Sequence, residues 1–280
     1  MPETLAFYGA GMLGSGFVQA LCARGVTVRV WNRTFEKARA LEKYGAIAVR
    51  DAAEAAPGTS RVHLCLRSDD AVDETLRAAL AGIAPDTPVI DHTTVLPTGI
   101  AQRVESLREH GIPFIHAPVF MGPPNAAQAT GLMLVSGDRA LFERVRPALE
   151  PMTGKVWYLG DRIDKAAIFK LMGNAMILSI VGGMADMFAI ASANGLSRTE
   201  AYTLFENYDP SAQIGGRGKR MAQSDYDPTW TLEMAHKDAN LMLASASELP
   251  LPVISAVERA LLDAMERGFG NKDLAAVAER

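Results

Sequence analysis

The first 160 or so residues alternate short apolar runs with segments of helical periodicity, and that alternation constrains the fold more than any other feature. The runs are Leu5–Tyr8, Thr27–Trp31, Val62–Leu66, Pro88–Asp91, Phe114–Ala117, Leu132–Ser136 and Val156–Leu159. Most are apolar throughout, as strands covered on both faces are. Between them, Ser15–Arg24, Phe35–Tyr44, Asp70–Ala81 and Thr98–Glu109 carry apolar residues at helical spacing. Strands that alternate with helices imply an α/β, doubly wound, Rossmann-type sheet with crossover helices. After about Gly160 no strand-like run returns, so an all-α domain is expected behind the sheet domain. The boundary is drawn between 162 and 163, giving domains over 1–162 and 163–280.

The second domain opens with a long interdomain helix, about Asp164 to Asn194, with Gly195 placed to stop it. At 1.5 Å per residue such a helix spans roughly 45 Å. It is apolar on most sides, so other helices, or a second subunit, are expected to cover it. Asn174, Gly182, Gly183 and Asp186 interrupt the stretch Leu171–Ile190, which favours a buried helix over a membrane span. Later helices are expected over Arg198–Asn207, Met234–Glu248 and Pro252–Gly268, with a loop at Gly215-Gly216-Arg217-Gly218.

Composition excludes several classes. Hydrophobic residues make up 49% and charged residues 21% of the 280, a globular balance that argues against disorder. A formal charge of −4 supplies no basic field for nucleic acid or an anionic membrane. Cys22 and Cys65 sit in apolar runs without metal-ligand or redox spacing, so no metal is expected and a reducing, cytoplasmic setting is. No charged-then-apolar leader opens the sequence, because Leu5 already begins a strand-like run.

Gly9-Ala10-Gly11-Met12-Leu13-Gly14 fits GxGxxG. The pattern is weak alone, but here it follows a strand and opens a helix, where its glycines have work to do. The first permits a tight turn, the second lets backbone approach a pyrophosphate, and the third lets the helix pack on the strand. The second strand then ends in Asn32-Arg33-Thr34, eighteen residues after Gly14. An NAD site usually places Asp or Glu there for the ribose hydroxyls. Asn32 is neutral, and Arg33 is a planar cation suited to a 2′-phosphate. Thr34 adds a hydroxyl and a helix N-cap, with Lys37 one turn on. NADP (NADPH) is therefore the expected cofactor, held by Gly9, Gly11, Met12, Leu13, Gly14, Asn32, Arg33, Thr34 and Lys37. Leu66, at a strand's carboxyl end, joins that set.

Two further strands end, the one in the polar segment Asp91-His92-Thr93-Thr94-Val95-Leu96-Pro97, the other, within Gly111 to Gly122, in a glycine-bearing loop. Lys170 and Asn174, four apart, share one face of the apolar helix. Polar groups there cost free energy unless paired or lining a cavity, although a snorkelling surface lysine fits the periodicity equally well.

In this order the segments resemble the β-hydroxyacid dehydrogenase family, which includes 3-hydroxyisobutyrate and 6-phosphogluconate dehydrogenases and glyoxylate/succinic semialdehyde reductases. The resemblance covers essentially the whole chain. Gly9 to Gly14 matches the family's fingerprint, Asp91 to Pro97 its DxSTxxP segment, and His116 to Gly122 its DAPVSGG segment. Lys170 to Asn174 matches KxxNN, and Lys237 to Met242 matches KDxxLA. The resemblance implies hydride transfer between a nicotinamide and a small carbonyl or hydroxy compound, of the 3-hydroxy acid or semialdehyde type. It implies Lys170 as general acid/base, Asn174 orienting the same oxygen, Thr94, with Thr93 as a second candidate, holding substrate or ribose, Lys237 on the cofactor side, and a homodimer or homotetramer built around the long helix and carboxyl-terminal domain. Met121, Gly122 and Trp230 would complete the substrate pocket. His116, Phe120 and Met121 depart from the pattern, as do Asp164, Ala166 and Gly173, and Pro123-Pro124 lack amide hydrogens. These departures imply a larger apolar wall and a weaker carboxylate grip. An imine reductase-like activity and a non-catalytic NADP-binding protein are the alternatives.

Overall fold

A computed structural model describes residues 3–279, whose packing divides into two compact units, Met1–Asn174 and Ala175–Arg280. The division falls inside the long helix rather than at the strand-to-helix change near Gly160. The strands are β1 Thr4–Tyr8, β2 Thr27–Trp31, β3 Ile47–Val49, β4 Val62–Leu64, β5 Val89–Asp91, β6 Phe114–His116, β7 Val119–Phe120, β8 Leu132–Val135 and β9 Lys155–Tyr158. The helices of the first unit are α1 Met12–Ala23, α2 Phe35–Arg39, α3 Ala52–Ala55, α4 Asp69–Ala79, α5 Pro97–Arg108, α6 Pro123–Gln128 and α7 Arg139–Leu149, followed by the start of α8 Lys165–Ala193. The second unit continues α8 and adds α9 Arg198–Tyr202, α10 Leu204–Asn207, α11 Ala212–Ala222, α12 Leu232–Ser245 and α13 Pro252–Ala264.

Six strands form one parallel sheet in the order β3-β2-β1-β4-β5-β6, and β7-β8-β9 form a second, mixed sheet. In the large sheet the strand order reverses between β1 and β4, and ligands of open α/β sheets bind outside the carboxyl ends at such a point. Both faces are covered, with Phe7, Phe17, Val28 and Ile90 in one core and Tyr8, Leu64, Val72 and Ile100 in the other. That two-sided burial is why the strands read as continuous apolar runs.

Four expectations need correction. The first helix begins at Met12, not Ser15, with Gly11 as its N-cap. The segment after Phe120 is not an open loop: the two prolines occupy the first positions of α6, where a helix needs no amide hydrogen. The Gly215–Gly218 stretch lies inside α11. Glycine's poor helix propensity is overridden there because α11 is anchored by its arginines. Arg220 Nη1 lies 3.2 Å from the buried Asp273 carboxylate, and the Arg217 guanidinium sits 5.2 Å from the Trp230 ring centre. Finally, α8 is long and apolar enough to cross a membrane, yet it is not the buried helix expected: Met176, Ile177, Leu178, Ile180 and Val181 are all half-exposed or more. The single chain leaves that face uncovered, so the chain's own helices do not supply the cover.

Within the second unit, Asp273 is the polar hub. Its carboxylate accepts from the Thr229 hydroxyl (2.7 Å) and from the amides of Thr229, Trp230 and Ala275. These bonds hold its carboxyl far below the usual carboxylate range despite burial. Asp186, buried in α8, accepts from the Ile254 amide at 2.8 Å and so caps the start of α13.

Candidate functional site

The phosphate turn is a consequence of crowding. Gly9 has φ +111°, and a Cβ there would lie 2.2 Å from the Cys65 carbonyl oxygen on the neighbouring strand end. A Cβ at Gly14 would lie 2.1 Å from the Gly9 oxygen. Gly11 differs, with open space around it, so its missing side chain leaves the N-terminus of α1 accessible. An unblocked helix N-terminus offers free amides and a positive dipole end to a pyrophosphate, so these residues fit a dinucleotide. Gly11, Met12 and Lys37 line one open cleft together with Ser15, Lys43 and Tyr44. Leu13 is instead packed against the core.

The residues expected to read the ribose divide into two roles. Asn32 is committed to the backbone: its Oδ1 accepts from the Ala10 amide at 3.0 Å, and its Nδ2 donates to the Thr34 carbonyl at 2.8 Å. It therefore shapes the glycine turn. Arg33 and Thr34 are exposed beside it. Thr34 is the N-cap of α2, but its hydroxyl makes no capping hydrogen bond, contrary to the expected role.

At the end of β5, the two threonines also separate. Thr93 is buried and structural. Its hydroxyl accepts from the Leu66 amide at 3.0 Å, its own amide donates to Asp91 Oδ1 at 2.8 Å, and its carbonyl accepts from His116 Nε2 at 2.8 Å. Thr94 is exposed. Gly122 does not present a free amide, because that N–H donates to Asn125 Oδ1 at 2.9 Å. Met121 packs partly buried against the sheet core. The Gly122 amide is therefore already engaged within the chain.

Lys170 lies one-tenth exposed on α8, its ammonium donating to Asn174 Oδ1 at 2.9 Å. Burial pushes its pKa below that of an ordinary lysine. The Phe120 ring lies beneath it, 4.2 Å from Nζ to the ring centre. This pairing settles the side chain as a held, partly desolvated amine and not a snorkelling one. In the second unit, Lys237 is exposed on α12 with its ammonium 2.9 Å from Asp238, and Trp230 packs against that unit's apolar cluster.

Sequence reasoning missed a line of buried polar rings, whose only signal is histidine within apolar strand runs. Arg61 Nε donates to His63 Nε2 at 2.9 Å, His63 Nδ1 meets His92 Nε2 at 2.9 Å, and His92 Nδ1 meets the Ala117 carbonyl at 2.7 Å. Arginine only donates and a carbonyl only accepts. The direction is therefore fixed: both histidines are neutral and donate from Nδ1. Burial pushes His92 and His116 down to about 4, and His63 well below its usual value with the Arg61 charge adding to the effect. Burial also pushes the Asp91 carboxyl up to about 7, against the lowering effect of its Thr93 bonds.

A parallel sheet with a glycine turn at its switch point defines a dinucleotide-binding fold, and comparison with known proteins identifies it as that of a nicotinamide-dependent oxidoreductase. The model for the NAD binding domain of 6-phosphogluconate dehydrogenase matches residues 4–160. That for the NAD-binding domain of NADP-dependent 3-hydroxyisobutyrate dehydrogenase matches residues 165–280. The chain belongs to the β-hydroxyacid dehydrogenase family. It is 28% identical to glyoxylate/succinic semialdehyde reductase 1 of Arabidopsis thaliana over 98% of this chain and 97% of that protein. It is 27% identical to the NAD-dependent L-serine dehydrogenase of Pseudomonas aeruginosa, covering 98% and 96%. The chain spans only about half the length of relatives named cytokine-like nuclear factor N-PAC; the human protein is 26% identical, with 98% of this chain and 51% of that one covered. Among solved structures, an imine reductase from Myxococcus stipitatus in complex with NADP+ has the same fold, with TM-score 0.90, 24% identity and 98% of each chain covered.

The buried histidines predict a pH dependence of stability. Between about pH 6.5 and 4 the unfolded chain protonates three histidines that the folded chain keeps neutral, whereas folded Asp91 retains one proton that the unfolded chain releases. The unfolded state thus binds about two more protons, so stability falls with acidification by about 2–3 kcal/mol per pH unit at its steepest. Urea unfolding at pH 7 and pH 5 checks this, and an unchanged midpoint would exclude neutral histidines.

Proposed function

We propose that this oxidoreductase is an NADPH-dependent reductase of small aldehydes and ketones, semialdehyde acids included, in which Lys170 is the general acid. The observation that carries the reading is the Lys170–Asn174 pair: a largely buried amine with a lowered pKa, held at 2.9 Å by an amide oxygen on the same helix face. A bound reduced nicotinamide supplies the hydride. Lys170 hydrogen-bonds the substrate carbonyl oxygen and gives it a proton as the alkoxide forms; in the reverse direction it takes that proton back. Desolvation brings the amine's proton affinity closer to working pH, where proton transfer is most effective. Asn174 orients Nζ, and the exposed Thr94 hydroxyl is available to substrate or ribose.

NADPH is favoured over NADH because Arg33 stands exposed where an NAD site would place a carboxylate, with Lys37 one turn further along. Aldehydes with an apolar body are favoured because Phe120 faces the amine and the Gly122 amide is already bonded to Asn125. A pocket of this kind rewards each added methylene by about 0.8 kcal/mol while discriminating weakly for a carboxylate.

Three measurements test the reading. Charge-assisted contacts to a 2′-phosphate imply a preference for NADPH on the order of a hundredfold, which Arg33→Ala should largely erase. Equal Michaelis constants for NADPH and NADH in the unaltered enzyme would refute it. Lys170→Ala should lower turnover by about 10² to 10⁴ with little change in NADPH affinity, and near-normal turnover would remove the lysine from the chemistry. In a comparison of kcat/KM, succinic semialdehyde and an uncharged aldehyde of similar length should both exceed 6-phosphogluconate in the oxidative direction. A win for the phosphorylated sugar acid would overturn the substrate class.

A further inference from the structure

Phe120 and Gly173 are far apart in sequence and inseparable in space. A Cβ on Gly173 would lie 2.2 Å from Cζ and 2.6 Å from Cε1 of the Phe120 ring. No real Cβ makes such a contact, so the ring occupies the volume that any other residue at 173 would claim. Gly173 needs no positive φ, and the crowding is therefore the reason for glycine there. The ring is supported on its other sides by the small cluster of Leu134, Leu159, Ala166 and Phe169.

The same ring presents its face to Lys170, whose Nζ is 4.2 Å from the centre. A cation over an aromatic face at that distance, in a partly desolvated place, is attracted by the ring quadrupole. An ammonium has three donors. One goes to Asn174 Oδ1, one side is shielded by the ring, and a third N–H remains for a substrate oxygen.

We propose that Phe120 is a positioning residue for Lys170, seated by the missing side chain of Gly173, so that Gly173, Phe120 and Lys170 act as one mechanical unit. This rests on the reading of Lys170 as proton donor, but the seat itself can be tested without turnover. The ring favours the charged amine and partly offsets the effect of burial, so the two together set the amine's proton affinity. A methyl at 173 would drive the ring aside and release Nζ.

The experiment combines two readouts on the unaltered enzyme and on Phe120→Leu, Gly173→Ala and the double variant. The first is the pH dependence of Lys170 acylation by an amine-reactive reagent, followed by mass spectrometry of the peptide that carries it. The second is kcat and KM for NADPH and an aldehyde, across pH. Phe120→Leu keeps an apolar filler but removes the ring; the acylation midpoint should drop by about 0.5 to 1.5 pH units, because the ammonium loses its partner. Gly173→Ala should move the midpoint the same way and lower kcat by about a hundredfold, with the KM for NADPH unchanged. The double variant should match Phe120→Leu alone, since the added methyl no longer meets a ring. Additive effects, or a midpoint that stays put in Phe120→Leu, would overturn the proposal. Phe120→Met is the substitute if the leucine variant does not fold. If the unaltered enzyme reduces no aldehyde at all, the functional reading falls, while the acylation midpoints still decide whether Phe120 holds Lys170.

Discussion

The carboxyl edge of the large sheet depends on one close approach, that of Gly9 to the end of the neighbouring strand. The turn after β1 passes so near the Cys65 carbonyl that no side chain fits between them, while the Gly9 amide donates to the Trp31 carbonyl at 2.9 Å on the opposite side. Three strand ends are thereby locked at a backbone-to-backbone spacing. Gly14 then packs against Gly9 itself, which fixes the direction in which α1 leaves. Asn32 adds the only side-chain tie described across the turn, accepting from Ala10. A phosphate-binding helix end is useful only if its amides are rigid and unblocked, and this corner secures both conditions with glycine and one carboxamide.

How much of this was legible follows from the range of each interaction. The sheet and the glycine turn could be read because burial on both faces and a tight turn leave local marks on composition. β3 has three residues and α3 four, too short for any period to register, and they are defined by pairing with their neighbours. The Gly215–Gly218 stretch misled because its helix is held by Arg217 and Arg220 reaching residues far along the chain. Lys170 and Asn174 were legible as a pair because helical spacing brings them together. Phe120 was noticed as a departure from a family pattern, but its partner could not be inferred, since nothing local to Gly173 demands glycine.

Two ways of fixing a polar group meet in the first unit, and they leave different freedoms. The line from Arg61 through His63 and His92 to Ala117 is fixed by hydrogen-bond direction: a donor that cannot accept stands at one end and an acceptor that cannot donate at the other. Adding a proton to either ring would set two donors face to face, so the line resists ionisation and holds the ends of β4 and β5 in place. Lys170 is fixed instead by an amide oxygen and an aromatic face. The amide oxygen can accept from an amine or, more strongly, from an ammonium, and the ring also attracts the charged form, so both oppose the desolvation that favours the neutral one. Neither contact forbids the loss of a proton. A scaffold whose buried rings resist ionisation therefore supports an amine that can change its charge, and a group that must hold its position while its charge changes requires that combination.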